Sequence, residues 1–129
     1  MNNYIYEIIC LITSLSGISF SYKKLNKTPY NAIFLSAVIS TLLRSYRLIL
    51  NKPGQTIDHP LLWADVICAI FTYIVVLFSC PSEAKWICSL SFILMTLSII
   101  SWPFHKKLGN YPHSAAHILN IVALQLYNF

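Results

Sequence analysis

Two histidines near the C-terminus have the spacing with which one helix presents two metal ligands. His113 and His117 are four residues apart in the segment YPHSAAHIL, so on a helix their imidazoles lie on one face. Neutral imidazole is a common ligand of zinc, copper, iron and nickel. The pair is therefore a candidate metal site. The alternative is two interfacial histidines that hydrogen-bond to backbone or water.

A carboxylate and two guanidinium groups form a second candidate constellation. Arg44 and Arg47 precede the 51–59 connection and Asp65 follows it, all three within apolar sequence. Charged groups in hydrocarbon are costly and normally face a partner or a wet cavity. We expect Asp65 to form a structural ion pair with Arg44 or Arg47 that locks this hairpin. The alternatives are arginines that snorkel to the interface and a role in binding a substrate or a lipid headgroup.

The composition indicates that these residues belong to a membrane protein. The chain has 129 residues, of which 57% are hydrophobic and 10% charged, and its mean hydropathy is +0.63. Soluble domains carry roughly 25% charged residues, and a small soluble fold needs more polar surface than this chain has. A soluble enzyme, a disordered tail and a coiled coil are therefore excluded. We expect a multi-pass integral membrane protein whose residues 1–129 form a single helical domain, in a membrane that the sequence does not identify.

The prolines divide the chain into helices. Proline inside a helix removes a hydrogen bond and clashes with the preceding turn, and all six prolines fall in breaks between apolar runs. The fold class is therefore all-α, a polytopic bundle of about five transmembrane helices at 4–22, 30–50, 60–80, 84–102 and 113–128. The fifth helix carries Asn120 and Gln125, so it is either buried among the others or only partly inserted.

Alternating spans gather the ionisable residues at one end of the bundle. We call side A the end that holds the N-terminus and the connections 51–59 and 103–112, and side B the opposite end. Apart from Lys85 at the very start of the fourth span, every charged residue within a predicted span, and every histidine, falls on side A: Glu7, Arg44, Arg47, His59, Asp65, His105, His113 and His117. We therefore expect one polar site there. Basic residues number five on side A and four on side B, which leaves the orientation undetermined.

Charge and cysteines limit the partners. The net charge is +5, but the lysines sit in breaks between apolar runs and form no basic stripe with interleaved aromatic residues, so nucleic acid is not expected as a partner. The expected partners are the lipid bilayer and other membrane protein subunits. Among the four cysteines, Cys80 and Cys88 flank one connection and can bridge it, and no CxxC pair occurs.

The order of a serine, an aspartate and the histidine pair resembles the membrane hydrolase superfamily that includes alkaline ceramidases and adiponectin receptors. Ser40 on the second helix, Asp65 on the third, and His113 with His117 on the last fall in matching order, and YPHSAAHIL is similar to the last helix of that family. The resemblance implies a zinc ion held by both histidines and hydrolysis of a lipid amide or ester. Asp65 would orient a ligand or the attacking water, and Ser40 would help to hold the developing charge.

The sequence departs from that family in two respects. Members have seven spans, whereas this chain has room for about five. Arg44 stands four residues after Ser40, where the family has its third metal-binding histidine. A guanidinium offers no lone pair to a metal, so His59, His105 or Asp65 would have to complete a three-ligand catalytic site. The resemblance therefore fits a non-catalytic relative as well as an enzyme.

Three functions follow from the sequence. The leading hypothesis is a non-catalytic subunit or interaction protein with a polar intramembrane site, since the chain is small and lacks a soluble domain. The alternative is a metal-dependent lipid amide or ester hydrolase, with zinc as its cofactor. The third is a transporter or channel component. It ranks last because the chain shows no inverted repeat, and because the side-B halves of the spans carry no charged residue apart from Lys85 at the start of the fourth span.

Overall fold

Five α-helices make up most of the described chain. The computed structural model describes residues 2–51, 60–104, 106–127 and 129, without the side chains of residues 106 and 107. Its helices are α1 (Asn3–Ser21), α2 (Tyr30–Ile49), α3 (Pro60–Ser79), α4 (Lys85–Ser101) and α5 (Lys106–Leu126), with short 3-10 turns at Tyr22–Lys24 and Ser82–Ala84. The predicted all-α bundle is confirmed, and none of these residues forms a strand.

Local sequence signals account for several helix ends. The Asn2 side chain caps α1 by accepting the backbone N–H of Tyr4 at 2.7 Å, as capping residues commonly do. Pro60 opens α3, where its missing N–H leaves no bond unmade. Asn51 follows α2 with φ at 58°, the left-handed conformation in which helices often end.

The fifth helix begins earlier than the sequence predicts. Its predicted start at residue 113 is wrong, because α5 begins at Lys106 and contains Pro112. Proline removes one backbone hydrogen bond, and packing on α4 stabilises the turns before it. There the hydroxyl of Ser98 donates to the Gly109 carbonyl at 2.8 Å. A Cβ at Gly109 would lie 3.2 Å from the Ser98 carbonyl oxygen, so the two helices touch closely at this point.

Four helical segments are long and apolar enough to cross a membrane: Asn3–Lys24, Tyr30–Ile49, Pro60–Ser79 and Ser82–Ser101. The segment α5 is not among them, although it runs the length of the bundle. Near its start Asn110 donates to Asn3 at 3.2 Å, and after its end the backbone N–H of Phe129 donates to the hydroxyl of Tyr30 at 3.1 Å. The chain thus has the build of a multi-pass membrane protein.

The burial pattern is the reverse of that in a soluble protein. Glu7, Arg44, Arg47 and Asp65 are buried, as are six serines, whereas Phe78 on α3 is 86% exposed. In water, ionic groups stay outside and large apolar side chains are mostly inside. An apolar exterior around a polar interior is what surrounding lipid requires.

The helices surround a central cavity. The closest packing is between α1 and α2 and between α4 and α5; α2 also packs on α3 and α1 on α5, while α3 and α4 touch least. The cavity has a volume of about 140 Å³. Asp65, His113 and His117 line its side-A end, and Val76 and Phe129 line it towards side B.

Candidate functional site

A buried ion network joins α1 to α2 at side A. Glu7 has no solvent exposure. Its carboxylate accepts Nη1 of Arg44 at 3.3 and 3.2 Å and Nη1 of Arg47 at 2.9 Å. Both arginines are also buried, so they do not snorkel to the interface. The partner of Arg47 is therefore Glu7, which the sequence analysis did not pair with either arginine.

Asp65 joins this network from α3. Its Oδ2 lies 3.8 Å from Nη2 of Arg44, so the expected pair is present at the long end of the ion-pair range. The hydroxyl of Ser14 on α1 donates to the hydroxyl of Ser40 on α2 at 3.0 Å. Ser40 and Asp65, the candidate catalytic residues, both line the cavity. Helices α1, α2 and α3 share one polar chain.

The guanidinium groups are incompletely satisfied. The network contains two carboxyl groups and two guanidinium groups. Nevertheless Nε of Arg44, and Nε and Nη2 of Arg47, are buried without a hydrogen-bond acceptor among the described residues. Each such donor costs roughly 1–3 kcal/mol. The ring of Tyr6 lies 5.1 Å below the Arg44 guanidinium and offsets part of that cost through a cation–π contact.

The two histidines face the interior of the bundle. Their rings stack with centroids 4.9 Å apart, and the two Nε2 atoms are 3.1 Å apart. The hydroxyl of Tyr6 lies 3.1 Å from Nδ1 of His113, and Oγ1 of Thr13 lies 2.9 Å from Nδ1 of His117. Both imidazoles are therefore held by side chains of α1 and do not point into lipid.

Arg44 also contacts the histidine pair. Its Nη2 is 3.3 Å from Nε2 of His113, and because arginine can only donate, that nitrogen accepts in this contact. The same nitrogen faces Nε2 of His117 at 3.1 Å. The Thr13 hydroxyl lies 2.9 Å from Nδ1 of His117 and equally close to the Ile9 carbonyl oxygen. Each ring therefore has polar neighbours at both of its nitrogens.

Cys10 is a potential third ligand that sequence analysis missed. Its Sγ and one nitrogen from each of His113 and His117 all lie within 4.8 Å of one another. Cys10 shares a helix face with Glu7 and Ser14, which was the available signal. Donors around a tetrahedral zinc ion lie about 3.5 Å apart, given bonds of roughly 2.0–2.3 Å. The two Nε2 atoms of the histidines, 3.1 Å apart, are close to that spacing.

The sequence offered Asp65, His59 and His105 as the third metal ligand. Asp65 pairs with Arg44 and does not belong to the Cys10 cluster. His59 and His105 lie outside the described residues. The donor set on the described chain is thus one thiol and two imidazoles, which suits zinc or copper.

A separate polar cluster at mid-depth joins three helices. Tyr73 on α3 and Ser91 on α4 share a hydrogen bond of 2.8 Å, and Nδ2 of Asn120 on α5 donates to the Tyr73 hydroxyl at 2.9 Å. The side chain of Asn120 therefore faces the interior of the bundle. Its polarity was the reason why the sequence left open whether the fifth helix is buried among the others or only partly inserted. This is how a helix too polar for lipid is accommodated within the bundle.

No protein-family model, no curated protein and no solved structure matches this chain. The resemblance to alkaline ceramidases and adiponectin receptors therefore stays a prediction made from a few residues. The described residues themselves show a buried polar site at side A, built by α1, α2, α3 and α5.

Proposed function

We propose that the chain is a non-catalytic multi-pass membrane protein in which Arg44 is the permanent cation of the side-A site. One observation carries the proposal. The Arg44 guanidinium lies 3.2 Å from Oε2 of Glu7, 3.3 Å from Nε2 of His113 and 3.8 Å from Oδ2 of Asp65. It thus engages the His113 nitrogen that a metal ion would need and the Asp65 carboxylate that would orient the attacking water. Arginine keeps its charge under all conditions of the cell.

Electrostatics argue against a divalent ion beside this guanidinium. Two unit charges about 4 Å apart repel by roughly 4 kcal/mol at an effective dielectric constant of about 20. A catalytic zinc also needs three protein ligands and an open position for water. With Arg44 in place, His113 is engaged on both ring nitrogens. The site is therefore better suited to holding helices together than to activating water.

The experiment replaces each arginine by histidine in turn. Arg44→His removes the guanidinium and adds an imidazole next to His113, so we expect about one zinc ion per chain, lost again when His117→Ala is added. Arg47→His is the matched control, because Arg47 pairs with Glu7, and we expect no bound zinc. The measurement is metal content by mass spectrometry after purification in detergent and dialysis against zinc. Stoichiometric metal in the unaltered chain would contradict the proposal.

A second candidate function is the metal-dependent lipid amide or ester hydrolase. The proximity of Cys10, His113 and His117 favours it, as does the position of Asp65 at the cavity. Zinc would be held by these three residues and would lower the pKa of its bound water to about 7. This function predicts zinc in the unaltered chain, lost in Cys10→Ser and His117→Ala. It predicts that zinc is retained in the control Cys68→Ser, which alters a partly exposed cysteine on α3.

A further inference from the structure

We propose that Cys80 and Cys88 form a dithiol that oxidises to a disulfide across the turn between α3 and α4. All four cysteines are free thiols in this structure. In the proposed step a bond forms between the two Sγ atoms and both S–H bonds break. Two electrons and two protons pass to a low-molecular-weight disulfide such as oxidised glutathione, which becomes two thiols. The inference is independent of the function proposed for side A.

The turn places the two cysteines opposite each other. The backbone N–H of Cys80 donates to the Val76 carbonyl at 2.8 Å, so Cys80 continues the last turn of α3. Pro81 is extended, with φ −62° and ψ 155°, and it reverses the chain. The helix α4 then starts at Lys85, and Cys88 lies about one turn into it. Cys80 thus directly follows α3, and Cys88 lies at the end of the first turn of α4.

The two cysteines lie within one buried apolar cluster. Cys80 is 7% and Cys88 5% exposed, and the cluster also contains Val76, Ala84 and Ile87. A disulfide needs specific backbone spacing, and a short turn between two helices that places both cysteines in one cluster brings them near each other. The other two cysteines lie elsewhere, Cys10 near the start of α1 and Cys68 in the middle of α3.

The disulfide would link α3 to α4, the neighbouring helices that contact each other least. The helices α3 and α4 touch less than the other neighbouring pairs around the cavity, and both Val76 and Cys88 line the cavity. A disulfide here would fix the spacing of α3 and α4 next to the cavity. Disulfides persist in oxidising compartments. The bond, found in protein taken from its native membrane, would therefore place side B in such a compartment.

The test uses the full chain in detergent, because Lys85 lies between the two cysteines. The protein is equilibrated with oxidised glutathione, free thiols are alkylated, and trypsin cleaves after Lys85. We expect mass spectrometry to find the Cys80 and Cys88 peptides linked, and separated after reduction. The link should persist in Cys68→Ser and be lost in Cys80→Ser. Four alkylated thiols, or links that involve Cys10 or Cys68, would overturn the proposal.

A second measurement separates the effect of the fold from mere nearness in sequence. The same equilibration is run on protein denatured in SDS. Because the fold places both thiols in one buried cluster, half-oxidation of the folded chain should need at least about tenfold less oxidised glutathione at a fixed concentration of reduced glutathione. Equal requirements in the two states would show that the fold does not prepare the pair, and would overturn the proposal.

Discussion

At the scale of the residue, Glu7 is the anchor of the side-A site. It is the shared partner of two buried guanidiniums, and both arginines come from the neighbouring helix. Breaking a buried ion pair by removing one partner is far more costly than removing an exposed one, because the remaining charge stays buried without compensation. The stability of this end of the bundle therefore depends strongly on one carboxylate.

Substituting that carboxylate gives a direct prediction. Glu7→Gln should lower the free energy of unfolding by about 3–5 kcal/mol, because Arg44 and Arg47 lose their ionic partner. The measurement is equilibrium unfolding in mixed detergent and SDS. Glu83→Gln is the matched control at an exposed position in the turn before α4, and we expect a change below about 0.5 kcal/mol. Equal stabilities of the two variants would mean that the network contributes little.

At the scale of the element, close approach between helices depends on small residues. Gly109 lies against α4, and a Cβ there would be 3.2 Å from the backbone oxygen of Ser98. Gly17 lies against α2, and a Cβ there would be 3.3 Å from the Cβ of Ala37. Small residues at such contacts let membrane helices pack backbone to backbone. The Ser98 carbonyl is also engaged in α4 by the Trp102 N–H at 3.0 Å, so it cannot easily move.

Both glycines should therefore resist substitution by alanine. Gly109→Ala should destabilise the protein by roughly 1–3 kcal/mol, because overpacking pushes against a fixed backbone. Gly17→Ala should also destabilise it, because the Cβ of Ala37 is fixed to the α2 backbone and moves only with that helix. Thermal unfolding in detergent compares each variant with the unaltered chain. A variant as stable as the unaltered chain would show that the helix contact at that glycine accommodates a methyl group.

At the scale of the whole molecule, α5 completes the bundle although it is the most polar helix. Its side chains Asn110 and Ser114 are buried, and Asn120 bonds to Tyr73 on α3. Trp86, near the start of α4, donates to the Tyr127 hydroxyl at 3.0 Å. The helix therefore ends at side B, opposite the N-terminal end of α1. Its polar groups are satisfied inside, which allows a weakly apolar segment to sit among spans.

This arrangement predicts the topology of the chain in a bilayer. Tags added before residue 1 and after residue 129 should lie on opposite faces of the membrane, because five helices alternate in direction. In sealed vesicles a protease should remove one tag and leave the other, and both should be cleaved once detergent opens the vesicles. Removal or protection of both tags together in sealed vesicles would show that α5 does not cross.

Apolar runs and proline positions were enough to predict the class and most of the fold. The predicted 30–50 and 60–80 match α2 and α3 within one residue at each end. The start of α5 was not predictable, because contacts with Ser98 on another helix stabilise turns that proline would otherwise disfavour. Polar residues at side A were identifiable from alternation of the spans. Their partners were not, since the choice between Asp65 and Glu7 for Arg47 depends on how α1 and α3 lie around α2.

Composition predicted a helical protein with spans apolar enough for a membrane, because a chain with so few charged residues offers little polar material for a water-facing surface. The alternating direction of the helices predicted that the buried charged residues and the histidine pair share side A. The contact of Arg44 with His113, and the approach of Cys10 to the two histidines, could be found only in the folded bundle. Such contacts depend on the rotation and depth of each helix, which packing across the whole bundle sets.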